Sequence, residues 1–244
     1  HLPKGSLVNP TEPAPVNSRT ATLKRIAGCI VGALRQASPE IVPADGASSL
    51  LVLMFGGQDA DDQPFVVGEF NAGGSGGGPS KDGVDVIETD GSNCMNMPVE
   101  ALELEAPIRV HQMRLRKDSG GAGQFRGGLG CVREIEFLSD NTALTHRGER
   151  HQHAPRGSQG GHDGSKAHSV LVRDDGRHET IASKVFTTVQ RGDRLIVETP
   201  GGGGYGQPKA RERSAVVDDL DNGKISMDTA RQIYGLDLSG VDQP

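Results

Sequence analysis

Apolar and polar positions change period three times along the chain, and each change marks a different kind of element. Leu23, Ile26, Ile30, Ala33, Leu34 and Ala37 recur at helical spacing with Lys24, Arg25 and Arg35 on other faces, so residues 19–37 read as an amphipathic helix. Asn17 or Ser18 can cap it by accepting a bond from a free backbone N–H, and Ser38-Pro39 ends it. Residues 48–70 switch to short apolar runs, 50–55 and 64–70, split by an acidic turn at 59–62, which predicts a strand pair. Further strand-like segments follow at 107–116, 131–138, 142–146, 168–173, 179–182 and 193–198, with Gly, Asp and Asn clusters between them. Pro208 can open a helix with Ala210, Val216, Val217 and Leu220 as its apolar stripe, stopped by Asn222-Gly223. Ser226 then caps a second short helix closed by Gly235, and both should pack back on the sheets. The expected fold class is α+β, predominantly β: a β-rich core with one N-terminal amphipathic helix and two short C-terminal helices.

Composition changes this picture in one respect. The 244 residues include 35 glycines, no Trp and 3% aromatic residues, so few large side chains are available to anchor a core. Stability is therefore expected from tight backbone packing and from partner surface. The length allows one domain or two smaller ones, with 1–105 as a mixed segment and 106–244 as a β-rich one. A net charge of −6 offers no footprint for a phosphate backbone or an anionic membrane, which argues against nucleic-acid and membrane partners. Cys29, Cys94 and Cys131 are widely spaced and odd in number, unlike a disulfide framework or a zinc knuckle. With no secretion-signal pattern in the first residues and no apolar run of roughly 18 to 20 residues, a reducing cytoplasm is expected.

Chemistry is concentrated in glycine-rich strings. Gly201-Gly-Gly-Gly-Tyr-Gly206 fits the G-x-G-x-x-G pattern, but Pro200 and Pro208 bracket it and no second strand ending in an acidic residue follows. A tight glycine turn accounts for it better than a dinucleotide site. Asp118-Ser-Gly-Gly-Ala-Gly-Gln-Phe-Arg-Gly-Gly-Leu-Gly130 has three readings. It can be a structural turn with Arg126 reaching Glu134 or Glu136, an anion site built from glycine N–H groups and Arg126, or a loop docking on a neighbouring subunit. Residues 71–83 approach the composition of a flexible linker. Glu100 and Glu103 would share a helical face as metal ligands or an acid–base pair, although acidic residues just after Pro98 equally suit a helix N-terminus. His146, His151 and His153, with His162 and His168 beyond, invite a metal, but Arg147, Arg150 and Arg156 oppose a cation and solvated loop histidines are expected. No nucleophile elbow or Walker A string is present, so ATP chemistry is not assigned to this chain alone.

The order of these strings is itself informative. Residues 71–78, Asp82-Gly83, Asn96-Met-Pro-Val-Glu100 with Glu103, the Asp118 loop and Thr199-Pro-Gly-Gly-Gly-Gly-Tyr-Gly-Gln-Pro208 resemble the C-terminal half of the hydantoinase B and oxoprolinase family. That family also supplies the large subunits of acetone- and acetophenone-type carboxylases. The opening Leu2-Pro-Lys-Gly-Ser-Leu-Val-Asn-Pro10 and the closing Gly223-Lys-Ile-Ser226 extend the resemblance over essentially the whole chain. It implies an ATP-dependent enzyme that opens a cyclic amide such as hydantoin or 5-oxoproline, or carboxylates a ketone, after phosphorylating the substrate oxygen. It further implies that ATP and Mg are held by a hydantoinase A-like partner, and that any divalent metal is held by an N-terminal half outside this chain. Glu100, Asp118 and Arg126 become the candidate catalytic groups, with Gly120, Gly121 and Gly123 shaping substrate-binding backbone. Two alternatives stay open: part of a ketone carboxylase, or a non-catalytic scaffold half. One departure is Ala154-Pro-Arg-Gly157, where the family usually has Pro-Pro-Trp-Gly.

Overall fold

The computed structural model describes residues 1–16, 19–88 and 94–236, so the Asn17-Ser18 cap lies outside the described residues. Helix α1 spans Arg19–Ala37. Strands β1 (Leu51–Gln58) and β2 (Pro64–Asn71) form the expected pair, and helix α2 covers Val99–Glu105. Strands β3 (Ile108–Leu115), β4 (Cys131–Phe137), β5 (Thr142–Arg147), β6 (His168–Val172), β7 (His178–Thr180), β8 (Lys184–Val189) and β9 (Arg194–Glu198) follow. All but β8 coincide with predicted segments. β8 escapes a sequence reading because its outward Phe186, 75% exposed, breaks the polar half of the alternation.

The strands make two antiparallel sheets, ordered β2-β1-β5-β8 and β3-β4-β9-β6-β7, so segments from both sides of residue 105 share one sheet. Alternation sets the core. Leu51, Leu53 and Phe55 of β1 and Leu144 of β5 point inward to meet Ile135, Phe137, Leu171, Leu195 and Val197 of the other sheet. Phe55 and Phe137 meet edge to face with ring centroids 5.5 Å apart, which adds directionality to a core short of aromatics.

The glycine strings build a separate layer. Residues 72–78, 120–130, 155–164 and 200–206 form no ladder, yet they exchange backbone bonds across long sequence distances: Gly74 N donates to Pro200 O (3.0 Å), Gly128 N to Ser75 O (2.8 Å), Gly202 N to Gly128 O (2.8 Å) and Gly121 N to Gly202 O (2.8 Å). A Cβ on Gly74 would lie 1.8 Å from Gly128 O, and one on Gly202 would lie 1.8 Å from Ser75 O. Backbones interleave this closely only where side chains are missing. Residues 71–78 are thus mostly buried and hydrogen-bonded, contrary to the linker expectation. The close approach expected against partner surface is made here against the chain's own backbone.

Two helical expectations are corrected. The segment after Pro208 splits into a 3₁₀ turn (Pro208–Ala210) and α3 (Arg213–Asp221), because Arg211 takes an extended conformation and sends its side chain into an ion-pair network. α4 (Met227–Gln232) is capped as expected by Ser226, whose Oγ accepts from Thr229 N at 3.2 Å. These two helices pack on the glycine layer at Ala122, through Val216, Ile225, Ala230 and Tyr234, instead of on the sheets.

In α1 the amphipathic pattern is inverted. Its buried residue is Lys24, while Leu23, Ile30 and Leu34 are more than half exposed. Polar tethers explain this orientation: Lys24 is ion-paired with Glu88, and Arg35 donates to Asp45 Oδ1 (2.6 Å) and Pro43 O (2.8 Å).

Candidate functional site

The inverted helix leaves a cavity of about 440 Å³ between itself and the outer face of the four-stranded sheet. Val52 and Met54 of β1 and Phe70 of β2 form an apolar floor. Charge sits at its edges. Lys24 and Glu88 pair with only 2% of each side chain exposed, and Glu88 Oε2 also accepts from Cys94 N at 2.9 Å. Lys184 donates to Glu149 Oε1 at 2.9 Å on the opposite edge, beside Arg147. An apolar floor with charged groups on two sides suits a small ring bearing a polar group.

None of the candidate catalytic or substrate-binding residues named from the sequence lines this cavity. Glu100 is exposed in the first turn of α2, and Glu103 accepts from Val110 N at 2.7 Å, tying that helix to β3. Asp118 sits at φ +59°; its Oδ1 accepts from Ser226 N (2.8 Å), and its own N–H donates to Lys224 O (3.0 Å). Arg126 is 2% exposed and reaches neither Glu134 nor Glu136. It binds Asp219 (3.3 Å), Asp85 (3.2 Å) and Gly127 O (2.6 Å) instead. Asp118 and Arg126 therefore converge on the hairpin formed by α3 and α4, while Glu100 stands apart with the sheets. A Cβ on Gly120, Gly121 or Gly123 would strike Gly127 O at 2.0 Å, His162 O at 2.1 Å or Tyr205 N at 2.6 Å, so own-chain packing accounts for these three glycines.

The network around Arg126 is the densest charge cluster described. Arg211 donates to both carboxylate oxygens of Asp82 and to Asp219 Oδ2, each at 2.7 Å. Burial alone would raise the Asp82 carboxyl, but the Arg211 hydrogen bonds and charge outweigh it and hold its pKa below the usual carboxylate value. Asp85 follows the same balance: burial opposes ionisation, while the Leu129 N–H and the Arg126 charge favour it and win. Burial likewise drives the nearby Tyr234 hydroxyl up to about 12.

Buried polar side chains depart from the sequence reading in two places. Arg133 of β4 and Glu69 of β2 pair at 2.6 Å with 0% and 1% of their side chains exposed, and Asn96 Nδ2 also donates to Glu69 Oε1 at 2.7 Å. The signal was Arg133, with Glu134 and Glu136, inside a strand otherwise made of Cys, Val, Ile and Phe. His146 is fully buried and His151 half-buried, which corrects the expectation of solvated histidines at these two positions, while His153, His162 and His168 are exposed as expected; His146 bonds Ser169 Oγ at 2.9 Å and meets His151 edge to face at 5.4 Å. Burial, aided by the His151 charge, lowers its pKa to about 4. Among the described residues, no three or more His, Cys, Asp or Glu side chains gather to hold a metal ion.

Two sheets around one core, a self-packed glycine layer and a helical hairpin fastened to it by buried ion pairs define a β-dominant α+β protein of the kind that carries ordered glycine strings. The sequence profile described as hydantoinase B/oxoprolinase matches residues 1–208, and the chain belongs to that family. It is 34% identical over 244 residues to a protein of Pseudomonas sp. (strain NS671) provisionally named as the B component of a D-/L-hydantoinase, covering 99% of this chain and 40% of that one. It is 33% identical over 257 residues to the beta component of the caprolactamase of Pseudomonas jessenii, covering 99% and 43%. The crystal structure of ATP-dependent caprolactamase from Pseudomonas jessenii superposes with a TM-score of 0.84 at 31% identity, over 99% of this chain and 44% of that chain. A nucleotide-free acetone carboxylase shares the fold, with a TM-score of 0.69 at 21% identity over 80% and 30%. The chain thus spans about two fifths of the length of these hydantoinase and caprolactamase relatives. No helix among the described residues is long and apolar enough to cross a membrane.

Proposed function

We propose that this chain is the C-terminal part of a B-type subunit in an ATP-dependent enzyme that opens a cyclic amide. The observation that carries this reading is the 0.84 TM-score over 99% of the chain with an ATP-dependent caprolactamase. In the proposed reaction, ATP and Mg²⁺ are bound by a hydantoinase A-like partner in the cytoplasm. Phosphoryl transfer to the lactam carbonyl oxygen releases ADP and leaves an O-phosphorylated imidate whose carbon accepts water; the ring nitrogen takes a proton and leaves as the amine when the C–N bond breaks, and hydrolysis of the resulting acyl phosphate gives the carboxylate and inorganic phosphate. Glu100, exposed at the start of α2, is the acid–base candidate of this chain. Asp118 and Arg126 are positioning residues, acting through the Ser226, Asp85 and Asp219 contacts that fix the hairpin and the Gly120–Gly123 backbone.

The test is ATP-dependent ring opening by the assembled enzyme, followed as ADP release coupled to loss of hydantoin, 5-oxoproline or caprolactam. ADP release that requires a ketone and bicarbonate would reassign the chain to a carboxylase. A scaffold role is the second reading, favoured by the burial of Arg126 and the self-packing of the glycines. If Glu100→Gln and Arg126→Lys leave turnover unchanged in an intact assembly, the scaffold reading replaces the catalytic one.

A further inference from the structure

From the inverted orientation of α1 we infer that its outward apolar stripe is the docking face for the remaining polypeptide of the B-type subunit, an inference that rests on the family position proposed above. Leu23 (55% exposed), Ile26 (39%), Ile30 (56%) and Leu34 (54%) form one continuous row on the solvent side of the helix. The row continues into a groove of about 770 Å³ whose other wall carries Leu7, Val8 and Val16 from the first residues of the chain. Scattered exposed apolar residues are ordinary, but a contiguous helical stripe running into an apolar groove marks an interaction surface.

Three observations point to the occupant. The hydantoinase and caprolactamase relatives are more than twice as long as the portion this chain covers, so in them a larger body of polypeptide must meet this fold somewhere. The glycine layer is not available for that contact, because its glycines are packed against one another. The charges of α1 are also accounted for away from the stripe: α1 has no acidic residue, and Lys24 and Arg35 pair within the chain. The occupant's surface facing the row is therefore apolar.

The experiment uses the whole B-type subunit, assembled from this chain and the rest of its polypeptide. Amide exchange across residues 19–37 is compared between the isolated chain and the assembly, and I26D/I30D/L34D is carried through the same purification. The expected result is at least tenfold slower exchange over 19–37 on assembly. The triple variant should lose co-elution with the remaining polypeptide while keeping the melting temperature of the isolated chain. Unchanged exchange on wild-type assembly overturns the inference without requiring any variant to fold. So does a concentration-dependent dimer of the isolated chain that the triple variant abolishes, which would identify a second copy as the occupant. Protection that arises only when the hydantoinase A-like partner is added would overturn it as well. If α1 is protected but no cyclic amide is opened, the function proposal fails and the docking face stands.

Discussion

Gly202→Ala should be among the most damaging single-methyl additions to this protein. The new Cβ would lie 1.8 Å from Ser75 O, 2.3 Å from Ser75 C and 2.8 Å from Gly76 N, all backbone atoms that no rotamer change can move. Relief requires the 72–78 and 200–206 segments to part by more than an ångström. That movement stretches the bonds in which Gly128 N donates to Ser75 O and Gly202 N to Gly128 O, each now 2.8 Å. Overpacking of this kind costs about 1–3 kcal/mol, and each buried backbone bond left unmade costs about 1–3 kcal/mol more. A total of about 3–9 kcal/mol is a large share of the roughly 5–15 kcal/mol that holds a domain folded, and corresponds to a melting temperature lower by roughly 6–36 °C. Urea unfolding followed by far-ultraviolet circular dichroism measures it. Gly32→Ala is the internal control: Gly32 lies within α1 with nothing within 4 Å of its would-be Cβ, so alanine there should stabilise by about 0.5–1 kcal/mol. If Gly202→Ala falls within about 1 kcal/mol of the parent chain, or both substitutions cost alike, the account of the glycine layer is wrong.

Arg211→Met should cost about 3–5 kcal/mol in the same unfolding assay, since it strands Asp219 and Asp82, and R211M/D219L should recover part of that loss. Acid unfolding should show two windows. His146 titrates near 4 when folded and near 6.5 when unfolded, so the folded state binds fewer protons and stability falls as pH drops from about 6.5 to 4, by an amount on the order of 3 kcal/mol; H146Q should flatten this window. Asp82 and Asp85 are depressed below 3.8, so the stability they contribute is complete above that value and is lost as pH falls below it; D82N should reduce this second slope. Asp118→Ala should cost about 1–2 kcal/mol by thermal unfolding through loss of the Ser226 N–H bond and strain at φ +59°, whereas Asp118→Gly should lose only the bond.

Local periodicity decided the elements. The helical spacing from Leu23 to Ala37 gave α1, the alternating runs gave eight of the nine strands, and Ser226 gave the start of α4. Those signals act over a few residues, where propensity and turn chemistry operate. The ordered glycine strings were equally legible and led to the family, because a glycine required by a backbone contact is written directly in the sequence.

The tertiary structure alone decided which surfaces meet. Nothing local says that Gly202 lies against Ser75, that Arg126 pairs with Asp219 instead of Glu134, or that α1 turns Lys24 inward and its leucines outward. Each is a long-range pairing set by complementary charge and by bare backbone, and such pairings leave no period in the sequence. The candidate site shares this property: its apolar floor comes from the outer face of β1 and β2, its charged pair from α1 and Glu88, and only folding brings them together.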